Sequence, residues 1–411
     1  MKVLYLHQYF ATPNSNAGTR SYEMAKRLIA KGHDVTFVTT SAFLTVEQPL
    51  STGWNYIELE GIKLHVLHLP YSNSDSYLMR IFKFVQFCIR AIPKAMKVKA
   101  DVVLATSTPL TIAIPGVICS KYHRIPLVFE VRDLWPELPI AIGALKNPIL
   151  IKMAQFLEKF AYRNSTRLVG LSPGMCAGIE KHGIPPEKIT LATNSCDTDL
   201  FDVSENIGLA YKESKLPFVG KKKLVVYTGT FGPINDVAYI VHLAKASLDQ
   251  SLNTCFVAIG AGMQKSDVVK LALDLGVLNK NLFILDPVAK TEIVELLSAA
   301  DLSISLFGPI KEMWNNSANK LFDALASGTP IAINYGGWQK EFIEERSCGL
   351  VLDNNYLQSA MKIDSFLNDE VRCALAKVAC NDLAYNYYSR DIMADRLESA
   401  LLEAVNVKKE I

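Results

Sequence analysis

The feature that most constrains this chain is a repeated exchange between two periodicities. "KVLYLHQYF" is a β-rich apolar run, and "TRSYEMAKRLIAKG" then puts Tyr22, Met24, Ala25, Leu28 and Ile29 at helical spacing. After Gly32 the chain returns to an apolar run, "DVTFVTT". Strand, helix and strand in that order make a β-α-β unit, and its strands must run parallel. The exchange continues through "IKLHVLHL", "DVVLATS", "PLVFEVRDL" and "TRLVGLS". It restarts after a polar, lysine-rich link from Asp202 to Lys223, with "KLVVYTGTF", "TCFVAIGAG", "NLFILDPV", "DLSISLF", "TPIAIN" and "CGLVL". Helices between strands predict parallel sheets covered on both faces. Two such series in 411 residues, too many for one core, predict an α/β protein with twin Rossmann-like domains facing a cleft.

Composition mainly excludes. Half the residues are apolar and a fifth are charged, as in ordinary globular proteins. The net charge of +2 offers no basic field of the kind that nucleic-acid binding needs, so no nucleic acid is expected as partner. Eight cysteines, among them Cys88, Cys119, Cys255 and Cys380, form no Cys-x-x-Cys pair and have no histidine at zinc spacing. They are expected to be small core residues in a reducing compartment. The first apolar run is too short for a signal peptide, and no uncharged run is long enough for a bilayer, so a cytoplasmic protein is expected.

In parallel sheets, ligands bind beyond the carboxyl ends of the strands, where helix N-termini offer unpaired N–H groups. Four strand ends carry residues suited to this. In "HQYFATPNSNAGTR", Gly18 allows close backbone approach and Arg20 is placed to meet an anion, the plain alternative being a helix-opening loop. "VRDLWPEL" brings Arg132, Asp133, Trp135 and Glu137 together; burial of such charges is costly unless they pair or meet a polar ligand, and an internal Arg132–Asp133 pair is the plain alternative. "YTGTFGPIND" places Gly229, Thr230 and Gly232 where a strand gives way to a helix, and "AIGAG" repeats the device with Gly260 and Gly262; neither has G-x-G-x-x-G spacing, and glycine there is also common turn chemistry. "MWNNSANKLFDALASG" is the strongest. Asn315, Asn316, Ser317 and Asn319 loop into a helix that starts near Ala318, with Lys320 at its beginning, where the macrodipole alone would favour an acid. A bound diphosphate resolves that conflict, and Asp323, one turn on, is suited to accept hydrogen bonds from the paired hydroxyls of a ribose.

These residues resemble the retaining nucleotide-sugar glycosyltransferases of family 4, which have the GT-B fold. "DALASGTP" is similar to the family's "E-A-M-A-x-G-x-P" phrase, with Asp323 at the second acid and Asn315, eight positions earlier, at the first. The chain departs from the common pattern at both. "VRDLWPE" (131–137) and "NKLFD" (319–323) resemble a subgroup of bacterial O-antigen and capsule pathways, the N-acetylfucosaminyl (aminosugar) transferases, and the likeness spans essentially the whole chain. It implies an acceptor-side domain over 1–200, a nucleotide-sugar domain over 201–383, and a terminal helix, 384–411, crossing back to the first domain. It implies a UDP-sugar donor, no cofactor or bound metal, and an undecaprenyl-diphosphate-linked acceptor. Asp323 would hold the ribose, and Ser317, Asn319 and Lys320 the diphosphate and donor sugar. The Arg and Lys that many members carry after the first strand of the second domain correspond to Thr230 and Asn235, so Lys320, with Arg132 from the other domain, is expected to replace them as the cations that stabilise the leaving diphosphate. Asp133 and Glu137 are candidates for orienting or deprotonating the acceptor.

From Tyr77 to Ala100 the chain has six basic residues and no acid. Arg80, Lys83, Arg90, Lys94 and Lys97 recur on one helical side, flanked by Phe84 and Phe87, and Pro93 must start, bend or end the helix. Such a surface suits an anionic leaflet, each cation contributing roughly 1 kcal/mol. Its plain alternative is a crossover helix with solvated lysines. With the lipid-linked acceptor that the resemblance implies, it predicts a protein peripheral on the inner face of the cytoplasmic membrane. Two rival functions share these features: a GT-B UDP-aminosugar 2-epimerase, which needs no acceptor, and a two-lobed sugar-binding protein without catalysis.

Overall fold

The computed structural model describes residues 1–15, 17–46, 49–70 and 77–409. Asn16 of the first loop lies outside the described residues, as do the side chains of residues 77 and 78, which open the basic helix, and that of residue 409. Contacts group Met1–Thr193, Asn315–Ser317 and the chain from Arg390 onward into one unit. Asn194–Trp314 and Ala318–Ser389 form a second.

The first unit is built on β1 (Lys2–Leu6), β2 (Asp34–Thr40), β3 (Trp54–Leu59), β4 (Ile62–Leu67), β5 (Val102–Thr106), β6 (Leu127–Val131), β7 (Arg167–Gly170) and β8 (Ile189–Leu191), in the order β3-β4-β2-β1-β5-β6-β7-β8. β5 and β6 are buried along their whole length, as continuous apolar runs between two helical layers should be. β1 pairs with β2 on one side and β5 on the other, so the strand order reverses there. That reversal is where α/β sheets open a crevice for ligands.

The sheet is not wholly parallel. β3, which the apolar pattern does not reveal, runs antiparallel to β4. Glu60 (φ 49°) and Gly61 (φ 80°) supply the two left-handed positions of a tight hairpin between them. At the other edge β8 has only three half-buried residues, too few for a periodic signal.

Five helices cover the first half of this unit: α1 (Arg20–Ala30), α2 (Tyr77–Ala95), α3 (Ala113–His123), α4 (Glu137–Ala141) and α5 (Pro148–Arg163). α3 packs against both α2 and α5, so the three form one layer. Phe87, Ala91 and Ala95 of α2, Val117 and Cys119 of α3, and Ala161 and Tyr162 of α5 join Leu4, Val103 and Leu127 in one core cluster. The start of α5 is fixed by sequence: Pro148 fits the first turn, and the Asn147 side chain accepts from Ile149 N at 2.9 Å. The last helix, Arg390–Lys409, lies on α1 and β7. Its Asp391 accepts from Arg27 at 2.6 Å and its Glu398 from Lys31 at 2.6 Å.

The expected basic face of α2 requires correction. Phe87 is in the core, Lys83 donates to the Pro70 carbonyl at 2.7 Å, and Lys94 stands over the Trp54 ring at 5.1 Å. Met79, Phe82, Val85 and Ile89 are exposed, and of the expected cations Arg90 and Lys97 are exposed with them. Long cationic stems fold back on apolar neighbours, whereas the branched and aromatic residues that the core has no room for remain outside.

The second unit carries β9 (Lys223–Thr228), β10 (Thr254–Ile259), β11 (Leu282–Leu285), β12 (Leu302–Ser305), β13 (Ile331–Ile333) and β14 (Gly349–Val351), in the order β11-β10-β9-β12-β13-β14. Every pairing is parallel, and the order reverses between β9 and β12. The lysine-rich stretch read as a link contains a helix, Glu205–Lys215, that belongs to this unit. Tyr211 is buried, and Gly208 lies so close to a neighbouring helix that an added Cβ would stand 2.5 Å from the Ser298 carbonyl carbon. One glycine and one tyrosine on a polar helix make a packing face too narrow to register as periodicity.

Candidate active site

In the second unit the residues of interest gather at the reversal of the sheet. β9 ends at Thr228, and Gly229 follows with φ 148°. A Cβ there would stand 2.5 Å from Lys320 Cε, so the absent side chain makes room for the lysine stem. Lys320 is the second residue of the helix Asn319–Ala326, whose N-cap position is Ala318 and which has no side-chain cap. No side chain caps the first N–H groups of that helix, although Leu321 N donates to the Ala318 carbonyl at 3.1 Å. Asn319, at its first position, is exposed.

The Lys320 ammonium lies over the Tyr227 ring, 5.3 Å from its centroid. Among the described residues none accepts a hydrogen bond from it, and burial pulls its pKa down to about 8, only partly countered by Asp323. A half-buried cation with no hydrogen-bonded carboxylate among the described residues, beside a helix start without a side-chain cap, is an environment that favours negative charge. Asp323 is the third residue after Lys320 on the same helix. Its Oδ2 accepts from Lys290 Nζ at 2.6 Å, and Lys290 in turn lies 5.1 Å from the centre of the Phe201 ring. Lys290 is a site residue that the sequence does not reveal. It opens the helix Lys290–Ala299 without motif context, and only the fold brings it to Asp323.

The glycines divide in two. Gly229 is open to the lysine, but an added Cβ at Gly260 would stand 1.8 Å from the Gly229 carbonyl oxygen, and one at Gly262 2.3 Å from that of Phe231. Both face backbone of the adjacent loop, so the expectation that Gly260 admits a ligand to the main chain gives way to loop-on-loop packing. Phe231 N donates to the Ala261 carbonyl at 2.9 Å, which ties the two loops together. Thr230 is exposed, and its carbonyl accepts from Tyr227 Oη at 2.8 Å. Asn316 and Ser317 group with the first unit, Ser317 buried and Asn316 half-buried.

In the first unit the strand ends hold a closed polar network. Arg20 opens α1 and is buried; its Nε and Nη2 donate to Glu130 Oε1 at 3.0 and 2.9 Å, and Nη2 also donates to the Ala192 carbonyl at 2.8 Å. Its Nη1 donates to the Thr193 carbonyl. Arg20 is thus fully committed within the protein, which overturns its assignment to an anionic ligand. Glu130, the buried acid of β6, also accepts from Thr106. Burial works to raise its pKa, but the charges of Arg20 and Arg132 and the Thr106 hydrogen bond hold it below the ordinary glutamate value.

Arg132 and Asp133 are half-buried and Glu137 is exposed. Asp133 accepts from Thr108 Oγ1 at 3.0 Å rather than from Arg132, and burial raises its pKa despite that bond and the Arg132 charge. The Arg132 guanidinium meets His7 Nε2 at 3.3 Å, and His7 Nδ1 lies 2.8 Å from Ser21 Oγ. An arginine can only donate, so His7 accepts at Nε2, carries its proton at Nδ1 and gives it to Ser21. Burial, then the Arg132 charge, lowers the His7 pKa well below the ordinary histidine value, which keeps the ring neutral. His7 and Glu130 both escape sequence reasoning, because each sits in an apolar run whose pattern signals only burial.

Comparison with known proteins agrees with this arrangement. Residues 17–195 match the family described as glycosyl transferase 4-like domain, and residues 211–386 match glycosyl transferases group 1. A colanic acid biosynthesis glycosyl transferase of Escherichia coli, WcaI, is 21% identical over 295 residues, 69% of this chain and 71% of that one. Anabaena HepE, solved with UDP-glucose, superposes with a TM-score of 0.71 at 16% identity, covering 98% of this chain and 100% of its own. Sucrose-phosphate synthase of Thermosynechococcus elongatus gives 0.74 at 14% identity, covering 99% of each chain. At such identities the likeness carries the fold, and it is the two sequence matches, spread over both units, that carry the family: the chain belongs to the glycosyltransferases of the GT-B fold.

Proposed function

We propose that this transferase moves an N-acetylated aminosugar, such as N-acetylfucosamine, from a UDP-sugar to an undecaprenyl-diphosphate-linked acceptor in bacterial O-antigen or capsule synthesis, with retention at the anomeric carbon and without a bound metal. The carrying observation is Lys320, an ammonium with no hydrogen-bonded carboxylate among the described residues, beside a helix start without a side-chain cap. The β-phosphate of a UDP-sugar supplies that anion, and the charge that grows on it as the sugar leaves is what a fixed cation stabilises most. Lys290 holds Asp323 Oδ2, which leaves Oδ1 to accept from the ribose hydroxyls. HepE binding UDP-glucose and WcaI acting in colanic acid synthesis support a UDP-sugar and a polysaccharide pathway.

In the step itself the acceptor oxygen forms its bond to the anomeric carbon as the bond to the diphosphate breaks on the same face. The acceptor proton passes to a carboxylate or to the departing phosphate. Asp133, anchored by Thr108 and with its pKa raised by burial, is assigned to orient the acceptor hydroxyl, with Glu137 beside it in sequence. Arg132 is assigned as a second cation of the reaction. The acceptor's lipid brings the protein to the inner face of the membrane through residues 77–100. Among the described residues no helix is long and apolar enough to cross it.

The test is thermal stability in the presence of UDP-, GDP- and dTDP-sugars, followed by transfer of a radiolabelled aminosugar to a prenyl-diphosphate acceptor with and without EDTA. A UDP-sugar is expected to raise the melting temperature in wild type and not in Lys320→Ala, with transfer unaffected by EDTA. Stabilisation that survives Lys320→Ala undiminished would refute the diphosphate assignment.

A further inference from the structure

On the first unit, α5 leaves an apolar stripe exposed: Ile149 is 67% exposed, Met153 62% and Phe156 71%. These positions, at i, i+4 and i+7, stack into one line along the helix. Lys152, Lys159 and Arg163, all exposed, fall along one flank of that line at helical spacing. The opposite side of α5 packs inward through Glu158, Ala161 and Tyr162. Glu158 is the only acid on the helix, and it is buried, bound by Tyr162 Oη at 3.1 Å and facing His182 Nε2 at 3.3 Å.

The stripe continues across the layer. α3, between α5 and α2, exposes Ile118 and Tyr122 and carries Lys121; α2 exposes the Met79, Phe82, Val85 and Ile89 row with Arg90 beside it. Neither α2 nor α3 contains an acid. One face of three helices thus presents large apolar side chains, interspersed cations and no exposed carboxylate. A soluble surface of this size normally mixes both charge signs and keeps such side chains apart.

We infer that the α2–α3–α5 layer is a docking face for an anionic lipid surface, and that α5 is its principal insertion element, lying in the plane of the interface with Ile149, Met153 and Phe156 among the acyl chains and Lys152, Lys159 and Arg163 at the headgroups. The partner is identified by charge complementarity. A protein partner or second copy would bury apolar area but gives no reason for the one-signed charge, since this face cannot neutralise its own cations on a two-fold copy of itself. An anionic bilayer satisfies both at once, through apolar insertion and attraction of each cation. This relocates the membrane contact assumed under the proposed function from residues 77–100 alone to a layer centred on α5. It stands on exposure and charge, whatever the sugar donor.

Flotation of the full chain with vesicles of phosphatidylglycerol and phosphatidylcholine, against phosphatidylcholine alone, tests it. Ile149→Ser/Met153→Ser/Phe156→Ser is expected to weaken partitioning into the mixed vesicles about a hundredfold. Lys152→Gln/Lys159→Gln/Arg163→Gln should weaken it about tenfold or more on mixed vesicles and leave the neutral ones unchanged. All six positions are exposed, so both variants should keep the wild-type urea midpoint. Wild-type flotation by the stripe variant, with loss only in Phe82→Ser/Ile89→Ser, would overturn α5 as the insertion element. A wild type that is dimeric without vesicles and a stripe variant that is monomeric would overturn the lipid assignment in favour of a second copy. Because the readout needs no nucleotide, flotation that behaves as expected in a chain that no UDP-sugar stabilises would refute the proposed function and leave this surface standing.

Discussion

Each unit places a cation on a helix that follows a strand at its sheet's reversal, and the two treat it in opposite ways. Beside the strand reversal of the first unit, Arg20 is clamped by Glu130 and two carbonyls, and the acid is in turn held by Thr106. Beside that of the second, Lys320 has a ring beneath it and, among the described residues, no carboxylate hydrogen-bonded to it, Asp323 acting only at a distance. The first cation is spent on holding β6, α1 and the chain after β8 together. The second has no such clamp, which costs folding free energy, and the proposed diphosphate would offset that cost. Chemical identity does not separate a structural cation from a functional one; the inventory of its partners does.

The largest effect should come from breaking the closed pair. Arg20→Ala leaves Glu130 charged and buried, and should destabilise the first unit by about 3–5 kcal/mol in urea unfolding. The companion Arg20→Met/Glu130→Leu, which removes both charges, should recover most of that loss. If Arg20→Ala instead unfolded like wild type and lost only donor binding, the contrast between the two cations would collapse. Next comes Lys320→Ala, expected to lower kcat by about a hundred- to a thousandfold with no loss of stability, because it removes a desolvated charge as well as the proposed catalytic cation.

Asp323→Ala should follow, raising the donor KM roughly ten- to a hundredfold through lost charge-assisted hydrogen bonds. The pH dependence sharpens the comparison further. A lysine whose folded pKa is lowered to about 8 opposes folding while it is charged, so the free protein should gain stability as pH rises from there toward the ordinary lysine value. Donor binding should weaken over the same window as the ammonium is lost. Parallel rather than opposed curves in calorimetry with and without UDP would count against Lys320 as the diphosphate cation. Smallest is Lys290→Met. Its pair with Asp323 is partly exposed, so stability should change by less than about 1 kcal/mol, with only a several-fold rise in donor KM.

Much of the fold is legible in the sequence because parallel strands buried on both faces are continuous apolar runs, and helices between them keep a period of their own. What stays hidden is whatever depends on a partner far along the chain. β3 is recognisable only through its hairpin with β4, and the helix Glu205–Lys215 only through the neighbour that Gly208 and Tyr211 touch. The same holds for the site. Lys320, Asn319 and Asp323 share one helix and could be read together, whereas Lys290 reaches Asp323 from another element. Arg20 looked free because its acid lies 110 positions away, in the middle of a valine-rich strand. Likewise, the sidedness of α2 could not be read from its lysines, since two of them turn back onto the unit.

The gap left at Gly229 makes two distant codons answer to one another. Its missing side chain is the channel through which the stem of Lys320 runs, so any residue larger than glycine at 229 would obstruct the lysine and shift its ammonium. Among descendants of this sequence, bulk at 229 should appear only together with a shorter or relocated cation at 320. On this geometry a change at one position calls for a change at the other.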